Sequence, residues 1–150
     1  MKKGRFFAAL VIGVVFLTFG ASAADITNGT GTLTSNCPMF TNYRYARTQT
    51  IYLASELGPA KKLYSLALDV TTIPGQTMNN FTIRLKHTDL SSSGSTSVWE
   101  SSDWTVVYQA NQTIASTGWN TFIFTAPFFY NGIQNLMVDI SFNNSYASSS

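Results

Sequence analysis

The sequence predicts an all-β chain built as a single antiparallel β-sandwich behind a leader segment, and three observations carry that prediction. Apolar and polar residues alternate with period two through most of the chain after residue 24. Short turn sequences rich in Gly, Pro, Asn and Ser separate the alternating runs. Helical patterning is confined to one stretch, Leu53-Ala54-Ser55-Glu56-Leu57, closed by Gly58-Pro59.

The first 23 residues read as a signal peptide. Lys2, Lys3 and Arg5 precede an apolar run over residues 6–19, and Ala21-Ser22-Ala23 supplies the small-x-small cleavage pattern, with cut expected before Ala24. The run is short for a membrane span of about 20 residues. No Cys stands at the cleavage point, which argues against a lipoprotein. Export to the cell surface or the medium is the expected localisation, with no membrane span left after cleavage.

Residues 24–40 form an arm. Its polar part, rich in Thr and Gly, has only Ile26 and Leu33 as large apolar residues. It reads either as a flexible arm or as an edge strand. Residues 41–150 are assigned to the sandwich. Residues 48–53 form the first expected strand and the helical turn follows. Tyr64, Leu66, Leu68 and Val70 are expected on one face of the next strand. Phe81, Ile83 and Leu85 alternate with Thr82, Arg84 and Lys86. Residues 105–109 and 119–125 are two more apolar strands, and Trp119 is assigned to the core. Leu136, Val138, Ile140 and Phe142 alternate with Met137, Asp139 and Ser141. Turns fall at Ile73-Pro74-Gly75-Gln76, Ser116-Thr117-Gly118 and Asn131-Gly132, and residues 90–97 are a Ser-rich loop. Some six strands at this spacing suit a jelly-roll-like or Ig-like sandwich with one wet face per sheet.

Charge excludes one class of partner. The chain has 9 basic and 7 acidic residues, but three of the basic ones lie in the leader. The remainder is close to neutral and slightly acidic, so no basic surface for nucleic acid is expected. Cys37 is the only cysteine. It rules out an internal disulfide framework and reads as a half-buried thiol or a site for pairing with another molecule.

Five blocks carry a family resemblance. They are Arg47-Thr48-Gln49 with Ile51-Tyr52-Leu53-Ala54-Ser55-Glu56-Leu57-Gly58; Asn79-Asn80-Phe81-Thr82-Ile83-Arg84-Leu85-Lys86-His87-Thr88; Gly118-Trp119; Pro127-Phe128-Phe129-Tyr130-Asn131-Gly132; and Asn135-Leu136-Met137-Val138-Asp139-Ile140 with Phe142-Asn143-Asn144-Ser145. Their order and spacing resemble a β-sandwich module of large secreted and surface proteins of environmental bacteria. The resemblance implies a surface or adhesive role and no catalytic residues. In that module the chain continues past the Asn-Asn-Ser block. Here it stops soon after, so either a longer protein continues or the sandwich lacks a closing strand.

Catalytic chemistry finds little material. His87 is the only His, and its position at a strand end suits a structural residue. No nucleophile-elbow, zinc-ligand or phosphate-loop pattern is present. Glu100 and Asp103 are too close in sequence to straddle a sugar as a hydrolytic pair. With Asp89 they offer oxygen ligands for calcium, but without the dense spacing of a calcium loop. No cofactor is expected, with calcium the one weak candidate.

Two binding constellations remain. Trp99 and Trp104 flank a polar loop holding Glu100 and Asp103, a pattern suited to stacking on polysaccharide; alternatively both rings plug one end of the sandwich. Tyr43 and Tyr45 alternate in a similar polar setting. The second constellation is the arm, where Ile26, Thr30, Thr32 and Leu33 form a candidate donor strand. Inserted into a neighbour's open sheet edge, it would build an oligomer or filament. An extracellular structural or adhesive protein, assembling by strand exchange, is therefore the first expectation, and a carbohydrate-binding module the second.

Overall fold

A computed structural model describes residues 25–27, 35–93 and 99–148. The expected signal peptide, and Thr30, Thr32 and Leu33 of the expected donor strand, lie outside the described residues. Among the described residues, six strands and one helical turn follow in order: β1 (Tyr45–Tyr52), α1 (Ala54–Leu57), β2 (Lys61–Val70), β3 (Met78–Thr88), β4 (Thr105–Gln112), β5 (Gly118–Tyr130) and β6 (Asn135–Asn143). All pairings are antiparallel. One sheet has the order β1-β6-β3-β4 and the other is the pair β2-β5. The two sheets pack face to face as an all-β sandwich.

Alternation puts Phe81, Ile83 and Leu85 of β3 and Leu136, Val138, Ile140 and Phe142 of β6 on the inner face. Phe122, Phe124, Phe128 and Tyr130 of β5 answer them from the other sheet. Phe81 meets Phe122 with ring centroids 5.1 Å apart, and Tyr108 of β4 stands edge-on to both rings. This aromatic contact, with the aliphatic side chains around it, removes large apolar areas from water and is the main stabilising term.

The smaller sheet is irregular. Between two paired stretches β2 advances only from Leu63 to Ser65 while β5 advances from Ile123 to Phe128. The surplus of β5 swings across to β4, where Thr125 Oγ1 donates to the Val107 carbonyl at 3.3 Å. Pro127 lies in this unpaired stretch, where its missing N–H costs no ladder bond. The bulge also reverses the facing of β2. Leu63 rather than Tyr64 turns toward the core, and Tyr64 is left 54% exposed. Trp119 is likewise not a core residue. It lies across from Asp69 on the outer face and is 64% exposed, because Phe122 and Phe124 take the inward positions of β5.

One end of the sandwich is laced by Thr41, which is buried. Its carbonyl accepts from Ser148 N at 2.8 Å and its hydroxyl accepts from Gly75 N at 3.0 Å. Asn144 N donates to the Arg44 carbonyl at 2.6 Å, so residues 144–148 run beside residues 41–44. Cys37 is exposed rather than half-buried, and is unpaired among the described residues.

At the opposite end, His87 stacks on Tyr130 and lies tilted against Phe128, and its Nε2 accepts the Asn131 N–H at 3.1 Å. Burial holds its pKa below the ordinary 6.5. A neutral ring is required to accept that bond, so the stabilisation is complete above about pH 6.5 and is lost as pH falls through the lower folded value. Thermal unfolding followed between pH 7.5 and 4.5 should show this loss, and His87→Gln should flatten that part of the profile.

Candidate functional site

The outer face of the four-stranded sheet is not the bare polar surface that alternation alone predicts. Arg47 and Gln49 of β1, Arg84 and Lys86 of β3, and Asp139 and Ser141 of β6 all point outward at mid-strand. Three adjacent strands thereby bring their charges to one spot. Asp139 is fully buried there. Its Oδ2 accepts from Arg47 Nε at 2.6 Å and Gln49 Nε2 at 2.9 Å, and its Oδ1 accepts from Arg84 Nη1 at 2.7 Å. Arg84 Nη1 also donates to Ser141 Oγ at 2.9 Å. A buried carboxylate is tolerated because three donors replace its lost water.

The segment 99–104 lies over this network. Gln49 clasps the Glu100 backbone from both sides, its Nε2 donating to the carbonyl at 2.8 Å and its Oε1 accepting from the amide at 3.0 Å. The Glu100 carboxylate accepts from Lys86 Nζ at 2.6 Å. Trp104 Nε1 donates to the Glu100 carbonyl at 3.1 Å, and Lys86 Nζ sits 5.0 Å from the Trp104 ring centre. The Arg47 guanidinium lies 5.4 Å from the Trp99 ring centre. Each tryptophan therefore has one face engaged by a cation.

Trp99, Glu100 and Trp104 are thus brought together, but on the side of the sandwich rather than as a plug at its end. Trp99 remains 53% exposed, so part of its ring faces water. Asp103 does a different job. It is exposed, adopts the left-handed conformation (φ 64°) and accepts from Ser102 Oγ at 2.9 Å. That makes it the turn residue that returns the chain to β4, a role Asp fills at low steric cost. Asp89, grouped with Glu100 and Asp103 as a calcium candidate, instead accepts from Gln134 Nε2 at 2.9 Å, beside the Asn131-Gly132 turn. No cluster of three or more His, Cys, Asp or Glu side chains exists among the described residues.

Beside Trp104 the covered face opens into a shallow depression of about 360 Å³, lined by Arg47, Arg84, Ser101, Trp104, Val106 and Ser141. Both guanidinium groups keep N–H donors that Asp139 does not use; their side chains are 39% and 26% exposed. The lining is one indole, two partly free arginines and two hydroxyls. It can stack on a flat apolar surface and donate to oxygen acceptors. Sequence reading had nominated the tryptophans and missed Arg47, Gln49, Arg84 and Asp139. The available signal was a charged or amide residue at the outward position of three separate strands.

Of the donor arm, Ile26 is described and is 40% exposed. The pair β2-β5 has no third strand among the described residues. Its outer face carries Tyr64, Trp119, Ile123 and Phe129, all more than half exposed. No helix among the described residues is long and apolar enough to cross a membrane.

No protein-family model matches the chain, and no curated protein or solved structure matches it either.

Proposed function

We propose that this chain is an extracellular adhesive β-sandwich that binds polysaccharide on the outer face of its four-stranded sheet. One observation carries the reading: segment 99–104 is fastened across that face so that Trp104 lines a depression with Arg47 and Arg84, while Trp99 packs on the Arg47 guanidinium. Sugars offer apolar ring faces for stacking and hydroxyl oxygens as acceptors, and this lining supplies the complement of both. The internal bonds of Asp139, Gln49 and Lys86 hold the platform before any ligand arrives, which lowers the ordering cost of binding. Export is supported by the leader over residues 1–23.

Retention on immobilised polysaccharides tests this reading. Trp99→Ala should weaken retention by about tenfold, the scale of one lost aromatic anchor. Because Trp99 is half-exposed and donates no hydrogen bond to the described residues, its removal should leave the fold intact. A variant that binds as well as the parent would contradict the assignment.

A second reading, assembly through strand addition, is favoured by the pair β2-β5, which has no third ladder strand among the described residues, although Thr125 of β5 bonds across to β4. Negative-stain microscopy of residues 24–150 beside a version lacking residues 24–35 separates the cases. Filaments that depend on the arm support strand donation; monomers in both samples overturn it.

A further inference from the structure

A second, larger depression of about 690 Å³ lies at the Thr41 end of the molecule. Tyr43, Tyr45 and Tyr146 line it, with Asn42, Arg44 and Ser145. The three rings are 66%, 68% and 70% exposed. Soluble proteins seldom leave three large rings so open in one place without a use. The groove is also built rather than loose. Asn144 N and Ser148 N bond to the Arg44 and Thr41 carbonyls, Gln76 Nε2 donates to the Tyr146 carbonyl at 3.0 Å, and Phe40 stands edge-on to Tyr43 at 5.5 Å.

Its charge is unbalanced. Arg44 is exposed and its guanidinium has no hydrogen-bond or ion-pair partner among the described residues. Among the described residues no carboxylate lines the groove.

The two depressions meet on β1. Ala46 packs toward the core, so Tyr45 and Arg47 share the outer face, about 7 Å apart along the strand. Opposite them on β6 stand Asn143 and Ser141, which alternation also turns outward. Tyr45 borders the larger depression and Arg47 the smaller. The face therefore runs continuously from the tyrosines, over a floor of Asn143 and Ser141, to Trp99 and Trp104. Arg47 and Arg84 lie along it and Arg44 lines its larger depression, while the two carboxylates on the face, Asp139 and Glu100, are already bonded to Arg47, Arg84 and Lys86.

The geometry points to one extended track that takes a linear anionic polysaccharide, whose rings stack on the aromatic residues and whose carboxylate or sulfate groups meet the arginines. This inference rests on the polysaccharide reading above and adds the polymer's length and charge. Binding at linked subsites makes affinity rise with chain length.

Calorimetry with a uronate disaccharide and octasaccharide, a sulfated octasaccharide and a neutral glucan octasaccharide tests it, using the parent chain, the triple variant Tyr43→Ala/Tyr45→Ala/Tyr146→Ala, and Arg44→Gln. The parent should bind an anionic octasaccharide at least about tenfold tighter than the disaccharide. The triple variant should lose that gain yet keep disaccharide binding, since all three rings are exposed and the core is untouched. Arg44→Gln should lower the salt dependence of binding. Preference between the uronate and sulfated chains identifies the anion. A disaccharide that binds with no gain in the octasaccharide, or a triple variant equal to the parent, overturns the track and leaves the tryptophan site standing. A neutral octasaccharide that binds equally well overturns the anionic specificity. Failure of every ligand overturns this inference and the polysaccharide reading together.

Discussion

Phe81→Ala is expected to lower the free energy of unfolding by about 4 kcal/mol, the middle of the range for deleting a buried aromatic ring. Phe81 has no exposed surface, lies on the inner strand β3 and meets Phe122 of the other sheet, with Tyr108 of its own sheet edge-on to it. The smaller sheet meets the larger through few strands, so its neighbours cannot collapse around the hole without moving β5. The loss would take a large part of a typical stability of about 5–15 kcal/mol. Guanidinium titration gives the value directly. Phe129→Ala is the control. That ring lies two residues from Gln-bordered turn 131–134 and is 61% exposed, so its loss should change stability by no more than about 0.5 kcal/mol. Comparable losses in the two variants would contradict the assignment of the core.

Asp139→Asn should cost about 2–3 kcal/mol and disorder the proposed binding face as well. Among the described residues the carboxylate is the only anion bonded to Arg47 and Arg84, and an amide at that position turns an N–H toward a cation. Removing one member of a buried pair costs about 3–5 kcal/mol. Here the figure is smaller, because both arginines are partly exposed and can regain water. Gln49 would lose one of the bonds that orient its amide, and its clasp on Glu100 would loosen. Polysaccharide retention should therefore fall even at temperatures where the variant is fully folded. Full stability together with undiminished retention would show that the network holds nothing in place.

How much of this was legible in sequence follows from distance along the chain. The alternation of β6 is uninterrupted from Leu136 to Phe142, and its inner face was read correctly residue by residue. Tyr64 and Trp119 were misread for two local reasons. A bulge between Leu63 and Ser65 shifts the facing of β2, and period two has no signal for a bulge. In β5 every odd position from Trp119 to Thr125 faces out, but a run containing Trp, Phe and Ile on both faces does not reveal which face is buried. The tryptophan loop was recognised as a binding candidate from composition. Its anchorage was not, because that depends on the register of β1, β6 and β3, which aligns Arg47 with Ser141, Gln49 with Asp139, and Asp139 with Arg84. Residues 47, 84 and 139 are remote in sequence, and only the sheet order makes them neighbours.

The three tryptophans report directly on which face of the sandwich meets the ligand. Trp99 and Trp104 lie on the outer face of the four-stranded sheet, and Trp119 lies on the outer face of the opposite sheet. In a nitrogen-15 spectrum each indole N–H gives its own resonance, assigned by single Trp→Phe substitutions. Titration with the uronate or sulfated octasaccharide should move the Trp99 and Trp104 signals in a saturable way and leave Trp119 in place. Movement of Trp119 alone, or of none of the three at saturating ligand, would contradict the placement of the site on this face.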